Sequence, residues 1–176
     1  SVGTRAYSLA HNPVEKSVTL SQLGLIQYRQ GHYDDAKQYL QEAIVENNKL
    51  KNDNSEIFLV QQSQNLNLLA NIYIDERNFT KAEECLKECA EYGRQLLKYD
   101  SCYLEKYSST LSNISELYRS IGEVNQDRTT LGQALEYNQA SLDLLQFISD
   151  TDKVDKPLYA AARYNNRGSI FLELKQ

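Results

Sequence analysis

Three cysteines and two histidines are the residues of this 176-residue chain with the most obvious capacity for chemistry. Cys85 and Cys89 are spaced to share one face of a helix, as two ligands of a zinc ion would be. No histidine or further cysteine stands at a suitable spacing from them, so packing as small core residues is the favoured interpretation. Cys102 stands at a predicted helix start, where a thiol pKa can fall, but a surface position without a role is favoured for it.

Neither histidine belongs to a recognisable nucleophilic motif. His11 and His32 stand in predicted turns, without a serine or cysteine partner at a suitable spacing. Carboxylate pairs such as Asp34 with Asp35 stand near predicted helix starts, where they complement the helix dipole. The sequence also lacks a glycine-rich phosphate loop. We therefore predict no catalytic residue, no cofactor and no metal ligand, and we predict that the chain is not an enzyme.

The apolar residues follow a pattern at helical spacing that recurs along the chain. Large and small residues alternate at intervals of three and four, which predicts two helices packed closely and antiparallel. The first copy consists of Leu20, Leu23, Gly24, Gly31, Tyr33, Ala36, Leu40 and Ala43. The second consists of Leu66, Leu69, Ala70, Tyr73, Phe79, Ala82, Leu86 and Cys89. Recurrence at a long period is typical of a helical solenoid.

This order of residues resembles the tetratricopeptide repeat. A third copy keeps Leu111, Ile114, Ser115, Tyr118 and Gly122, then resumes late at Ala134, Tyr137, Ser141 and Leu142. A fourth shows Tyr164, Gly168 and Phe171, with Arg167 where leucine is expected. The resemblance, which covers the chain from Leu20 to the C-terminus, implies an all-α fold. That fold is a right-handed α-solenoid of antiparallel helix pairs with about seven helices.

The period is longer than the family norm of about 34 residues. Gly24 to Ala70 is 46 residues and Ala70 to Ser115 is 45. Each excess is close to three helical turns, or about 11 residues, which predicts that both helices of a pair are longer by about one and a half turns. Helices of this length resemble those of kinesin light chains and of regulatory adaptor solenoids.

We predict a single solenoid domain divided into repeats at polar turns. Predicted helix caps are Asn12, Asn78, Asp100 or Ser101, and Thr129 or Thr130. The third repeat carries an insertion near residues 123–130, which is either a long loop or extra turns on the flanking helices. Both ends fall inside a repeat, which predicts a piece of a longer solenoid. The segments are 1–12 as the end of a preceding repeat, 13–54, 55–99, 100–154, and 155–176 as the first helix of a fourth repeat.

Composition excludes several classes of partner. The net charge of −5 argues against nucleic acid, which requires a basic face. No run of 18 apolar residues is present, so we predict no membrane span. Three cysteines without a disulfide framework fit a reducing compartment, and we predict a cytoplasmic protein.

The resemblance also implies a binding surface, because the first helix of each tetratricopeptide pair lines the concave groove. An amide side chain both donates and accepts hydrogen bonds, so a row of amides suits an extended segment held through its main chain. The alternative is a solvated face without a partner. Tetratricopeptide grooves that bind chaperone tails require Lys and Arg. The matching positions here hold Ser21, Leu25, Leu68, Ser109 and Asn113, so a chaperone tail is not the predicted partner. The predicted groove residues are Gln22, Asn67, Asn71, Asn113, Glu116, Asn165 and Asn166.

Two functions are compatible with this pattern. The first is a protein–protein interaction scaffold that binds a peptide segment or a protein surface in the groove. The alternative is a peptide-sensing regulatory solenoid that controls an effector domain outside this sequence. The unfinished repeat ends also allow self-association.

Overall fold

The computed structural model describes residues 12–51, 55–148 and 156–175. These ranges contain seven α-helices and no strand, so the prediction of an all-α fold is confirmed. A 3-10 helix, Ser101–Tyr103, precedes the fifth α-helix. The α-helices are α1 (Pro13–Arg29), α2 (Tyr33–Asn48), α3 (Ser55–Asp75), α4 (Phe79–Leu96), α5 (Leu104–Asn125), α6 (Arg128–Leu145) and α7 (Lys156–Lys175). The predicted helix before residue 12 and the predicted turn at 149–152 lie outside the described residues.

The chain divides into two compact units, Ser1–Tyr92 and Gly93–Gln176. In the first unit α1 packs against α2, and α3 packs on α2 and touches α1. In the second unit α5 packs against α6, and α7 packs on α6 and touches α5. Each unit therefore repeats one arrangement, in which a helix pair is followed by the first helix of the next pair.

Small residues bring α1 and α2 into close contact. A Cβ atom on Gly24 would lie 2.8 Å from Leu40 Cγ and 3.3 Å from the Ala36 carbonyl oxygen. Seven residues earlier in α1, Ser17 Oγ donates to the Ala43 carbonyl at 3.1 Å. The later residue of α1 contacts the earlier residues of α2, so the two helices run antiparallel, as predicted.

The second unit has the same contacts with serine in both small positions. Ser115 Oγ donates to the Ala134 carbonyl at 2.7 Å, and Ser108 Oγ donates to the Ser141 carbonyl at 2.7 Å. A side-chain hydroxyl that reaches the backbone of the neighbouring helix requires a short interaxial distance. Ala134 and Leu131 of α6 also form a buried cluster with Ile170 of α7.

Three turns between first and second helices have one geometry. His32 N donates to the Gln27 carbonyl at 2.9 Å, Asn78 N to the Tyr73 carbonyl at 2.8 Å, and Asp127 N to the Gly122 carbonyl at 2.9 Å. In each case the amide donates to the carbonyl five residues earlier. This hydrogen bond ends a helix when the residue before the donor has a left-handed backbone conformation. The left-handed residues are Gly31 (φ 79°), Arg77 (φ 57°) and Gln126 (φ 52°).

The insertion predicted near residues 123–130 consists of extra turns, not of a long loop. Helix α5 continues past Gly122 to Asn125, and α6 begins at Arg128, so only two residues separate the helices. The predicted caps Thr129 and Thr130 are wrong, because the Asp127 carboxylate caps α6 and accepts from Thr129 N at 2.9 Å.

Helix starts elsewhere follow the predicted caps. The Asn12 side chain accepts from Glu15 N at 2.9 Å, with Pro13 in the first turn of α1. Asn78 Oδ1 accepts from Lys81 N at 3.4 Å. The Asp100 side chain accepts from Cys102 N at 2.7 Å and caps the 3-10 helix that leads into α5. Short polar side chains at these sites satisfy amides that have no partner within the helix.

Two tyrosines, Tyr28 and Tyr33, bind the C-terminal end of α3 to the first helix pair. Tyr28 Oη donates to Asp75 Oδ2 at 3.0 Å, and Tyr33 Oη donates to the same oxygen at 3.3 Å. The two rings lie 5.8 Å apart between centroids. Burial and the Asp75 carboxylate raise the pKa of Tyr28 from 10.0 to about 12, because ionisation would place two anions side by side.

We expect Gly24→Leu to lower the free energy of unfolding by about 1–3 kcal/mol, because the new side chain must displace Leu40 and the α2 backbone. The control is Gly132→Leu on α6, where a Cβ atom meets nothing within 4 Å. Urea unfolding followed by circular dichroism measures both variants. Equal midpoints for the two variants would show that α1 and α2 are not held this closely.

The tyrosine contact predicts a dependence of stability on alkaline pH. The folded-state pKa of Tyr28 is raised, so its contribution is complete below about pH 10 and is lost as the pH rises toward about 12. We expect the stability advantage of the wild type over Tyr28→Phe to shrink across that interval. Urea unfolding of both proteins at several pH values measures the difference, and a constant difference would contradict the assignment.

Candidate binding surfaces on the first helices

The first unit brings two predicted groove residues to one level. Ser21 Oγ of α1 donates to Asn65 Oδ1 of α3, and further along Tyr28 contacts Asp75. These contacts join residues 44 and 47 apart, so α1 and α3 run parallel. Gln22, which is exposed, therefore lies level with Asn67, which is half-buried. Asn71 is half-buried one turn further along α3.

The second unit has the same parallel arrangement of α5 and α7. Arg163 of α7 contacts Ser108 of α5, and Asn166 contacts Ser115. The sequence separations are 55 and 51, which places Asn113 of α5 level with Asn165 of α7. Asn113 is half-buried and Asn165 is exposed.

Glu116 carries a predicted role but is bound within its own helix. Arg119 Nη2 lies 2.6 Å from Glu116 Oε1, and Arg119 also approaches Glu123 at 3.1 Å and Glu173 of α7 at 3.9 Å. The hydrogen bond to Glu116 is the largest of the interactions that raise the pKa of Arg119. A ligand that used Glu116 would have to share it with this arginine.

Asn166 contributes to the contact between α7 and α5. Its Nδ2 donates to Ser115 Oγ at 3.2 Å, and its Oδ1 is buried. Position within the repeat also separates three of the predicted groove residues, Asn67, Asn113 and Asn166. Asn67 stands three residues before the small residue Ala70, whereas Asn113 and Asn166 stand two before Ser115 and Gly168. One residue turns a helix by about 100°, so Asn67 does not share the direction of the other two.

The polar residues that sequence reasoning missed stand five positions before the small residue. Asn65 of α3 is 1% exposed and Arg163 of α7 is 2% exposed. Thr19 and Thr110 occupy the equivalent positions in α1 and α5. A polar residue at this one position in every first helix was the available signal. In α3 and α7 that residue contacts the preceding first helix of the same unit.

Arg163 is a buried cation held mainly by hydroxyl groups. Its guanidinium donates to Ser141 Oγ at 2.6 Å, to Ser108 Oγ at 3.0 Å and to Ser109 Oγ at 3.1 Å. Ser109 Oγ in turn donates to Glu105 Oε1 at 2.7 Å. Burial lowers the pKa of Arg163, and the charge of Glu105 opposes that shift. The arginine therefore joins α7 to both α5 and α6.

An open cleft of about 420 Å³ lies at the turn between α5 and α6. Glu123 and Glu173 line it together with Arg128, and Arg119 bridges the two carboxylates. These charges are largely balanced among themselves. The remaining lining residues are Gly122, Gln126 and Leu131.

Cys85 and Cys89 have structural surroundings. Cys89 is buried and its Sγ donates to the Ser63 carbonyl at 3.3 Å. Burial and the nearby Glu88 and Glu84 raise the pKa of half-buried Cys85 to about 11. Over the described ranges, no group of three or more His, Cys, Asp or Glu side chains could hold a metal ion. Within the same ranges, no helix combines the length and the apolar character needed to cross a membrane.

Comparison with known proteins supports the fold and the repeats. Profiles of the tetratricopeptide repeat match residues 18–50 and 63–92. A solved structure, BtubC (BKLC) from P. vanneervenii, superposes with a TM-score of 0.73 at 21% sequence identity. The alignment covers 98% of this chain and 62% of that one. No curated protein matches the sequence. The predicted class, an α-solenoid of antiparallel helix pairs, is confirmed.

The contacts of Arg163 predict different costs for two substitutions. Arg163→Ala should lower the free energy of unfolding by about 2–4 kcal/mol, because a cavity forms and hydrogen bonds are lost. Arg163→Met keeps the volume of the stem, and Ser108 and Ser141 still donate to each other's carbonyls at 2.7 and 2.6 Å. Its cost should stay below about 1.5 kcal/mol. Chemical unfolding compares the variants, and equal losses would mean that the guanidinium contacts dominate.

Proposed function

We propose, from the premise that this chain carries tetratricopeptide repeats, that it is a scaffold that binds an extended peptide segment along its first helices. Tetratricopeptide repeats generally mediate protein–protein interactions, and the family is typically non-enzymatic. The observation that carries the finer proposal is the parallel run of first helices within each unit. This arrangement supports the proposal because Gln22 is level with Asn67 in one unit and Asn113 is level with Asn165 in the other.

Two amides at one level suit a peptide that crosses the first helices. Neighbouring helix axes lie about 8–10 Å apart, and an extended chain advances about 3.3 Å per residue. Successive first helices are therefore separated by about three residues of bound peptide. The exposed amides of Gln22 and Asn165 each offer both a donor and an acceptor to the peptide main chain, so recognition would depend little on the side chains of the peptide.

Apolar residues beside the amides would add to this binding. Ile26 on α1 is 48% exposed, and Leu25 and Leu68 are half-buried beside Gln22 and Asn67. Leucine and isoleucine at these positions bury apolar side chains of a ligand, each burial contributing roughly 1.5–3 kcal/mol when it is complete. The ligand class is therefore a peptide with occasional apolar residues.

The compartment is part of the same proposal. None of the three cysteines is in a disulfide, and Cys102 is exposed, which a reducing environment tolerates. We therefore infer a cytoplasmic site of action. The regulatory alternative stays a prediction, because it depends on an effector domain outside this sequence.

The test is a peptide library displayed on phage, selected against the protein, followed by affinity measurements on variants. Gln22→Ala combined with Asn71→Ala removes two amides from the first unit. We expect a loss of about 1–3 kcal/mol at roughly 0.5–1.5 kcal/mol per hydrogen bond, or about five- to a hundredfold in Kd. The melting temperature should stay within a few degrees, because surface changes of this kind usually matter little.

The matched control is Gln38→Ala combined with Gln41→Ala, which removes two exposed amides from the second helix α2. It should leave Kd unchanged. If the selected peptides bind all three proteins equally, or if the library yields no binder, the proposed surface is wrong and the amides only face solvent.

A further inference from the structure

The cleft between the α5–α6 turn and the end of α7 has a closed counterpart in the first unit. There Tyr28 Oη and Tyr33 Oη both donate to Asp75 Oδ2, at 3.0 and 3.3 Å. These residues belong to α1, α2 and α3, so none of them comes from the helix that follows α3. Two hydroxyls and one carboxylate therefore join three helices at this point.

The equivalent residues in the second unit are all charged. Each stands at the same distance from the small residue of its first helix, or from the left-handed residue of the turn. Arg119 and Tyr28 stand four residues after the small residue, Glu173 and Asp75 five after it, and Arg128 and Tyr33 two after the left-handed residue. The second unit therefore has two guanidinium groups and a carboxylate in place of two hydroxyls and a carboxylate.

These charged groups do not close the space between them. Arg119 Nη1 lies 3.9 Å from Glu173 Oε1, which is too long for a hydrogen bond, and Arg119 is held instead by Glu116 and Glu123. Within the ranges that the structure describes, the Arg128 guanidinium has no hydrogen bond or ion pair, and the Glu173 carboxylate accepts no hydrogen bond. Both residues line the cleft, which thus holds an unpaired cation and a carboxylate without a donor.

The insertion in the third repeat explains the space. Arg128 stands thirteen residues after Ser115, whereas Tyr33 stands nine after Gly24. At a rise of about 1.5 Å per residue, the four additional residues carry the start of α6 about 6 Å further along the axis of α5. Glu173 keeps its distance from the small residue of α7 and does not follow this extension. A cleft of about 420 Å³ remains between the start of α6 and the end of α7.

Charges of both signs in one cleft select the class of ligand. An anion would meet Arg128 but also the carboxylates of Glu123 and Glu173. A cation would meet those carboxylates but also Arg128 and the nearby Arg119. A ligand with one positive and one negative group can pair each of them with the opposite charge, whereas an ion of one sign is opposed by like charge.

We propose that this cleft binds a small zwitterion with the chemistry of a free α-amino acid. The carboxylate of the ligand pairs with Arg128, because a guanidinium presents two parallel donors to the two oxygens. The ammonium of the ligand pairs with Glu123 and Glu173, whose oxygens lie 3.1 and 3.9 Å from the same atom, Arg119 Nη1. Bound in this way, the ligand joins the start of α6 to the end of α7. The cleft shares no lining residue with the proposed peptide surface, so the two proposals are independent.

The test is isothermal titration calorimetry of the intact 176-residue protein with glycine, L-alanine, L-valine and L-glutamine, each up to about 10 mM. We expect at least one of them to bind saturably, with a Kd below about 1 mM. It should also raise the melting temperature, because a ligand of the folded state stabilises that state. The amide of that amino acid lacks the carboxylate, and its N-acetyl derivative lacks the ammonium. Each derivative should bind more weakly by about tenfold or more, since one charged group is lost.

Two variants assign the two ends of the ligand. Arg128→Gln should weaken binding of the amino acid by about tenfold or more, without weakening that of its amide, which has no carboxylate for Arg128. Glu173→Gln should weaken binding of the amino acid to a similar extent, without weakening that of the N-acetyl derivative. A loss of folding would weaken every compound alike, so this crossed pattern separates a direct contact from misfolding.

The matched control is Arg29→Gln combined with Glu136→Gln, which removes one exposed arginine and one exposed glutamate outside the cleft. It should leave the affinity for the amino acid unchanged. Gln22→Ala combined with Asn71→Ala should also leave it unchanged, so a failure at this cleft and a failure at the peptide surface can be told apart.

Several results would overturn the proposal. One is the absence of saturable binding by all four amino acids. If the amide binds as tightly as the amino acid, the cleft is a cation site, and if the N-acetyl derivative does so, it is an anion site. Either result contradicts a zwitterion. Unchanged affinity in Arg128→Gln or in Glu173→Gln would place the bound amino acid elsewhere.

Discussion

The close approach of paired helices at small residues is the constraint on which this structure depends. At Gly24 there is no room for a Cβ atom beside Leu40, and at Ser115 a hydroxyl bonds directly to the backbone of α6. Both contacts fix the distance and the rotation of a helix pair at once. Since the next first helix packs on the second helix of the pair, its position follows from the same contact. The parallel alignment of α1 with α3, and of α5 with α7, is a consequence.

The turns impose a second constraint, which explains the irregular third repeat. The left-handed residue follows the small residue by seven positions at Gly31 and Arg77, but by eleven at Gln126. The difference of four residues is about one helical turn, so α5 lengthens without changing its face. Helix α6 lengthens to match, because Ala134 stands eight residues after Gln126, whereas Ala36 stands five after Gly31. Insertion by whole turns preserves both the turn geometry and the packing stripe.

This difference marks the boundary of what sequence alone could predict. Residues such as Leu20, Ala36, Leu40 and Leu86 were predictable as core because their spacing has one interpretation, and their exposure of 1% or less confirms it. The left-handed conformation of Gln126 was not predictable, because a glutamine carries no signal for a left-handed turn. Gly122 stood nearby as a better candidate for that conformation. The helices that carry the predicted groove residues were predictable from the sequence. The burial of Asn166 and the engagement of Glu116 were not, because both depend on neighbours that lie far away in sequence or on side-chain direction.

The polar contact between successive first helices of a unit has a further consequence for their alignment. Hydrogen bonds between Ser21 and Asn65, and between Ser108 and Arg163, join these helices. A purely apolar contact in the same place would have allowed several alignments of the two helices. A buried polar group is costly when it loses its partner, so a shift of one helix along the other by even one turn would leave Asn65 or Arg163 unsatisfied. Apolar contacts are less directional and would resist that shift less. The buried polar pairs therefore hold Gln22 level with Asn67 in the first unit, and Asn113 level with Asn165 in the second.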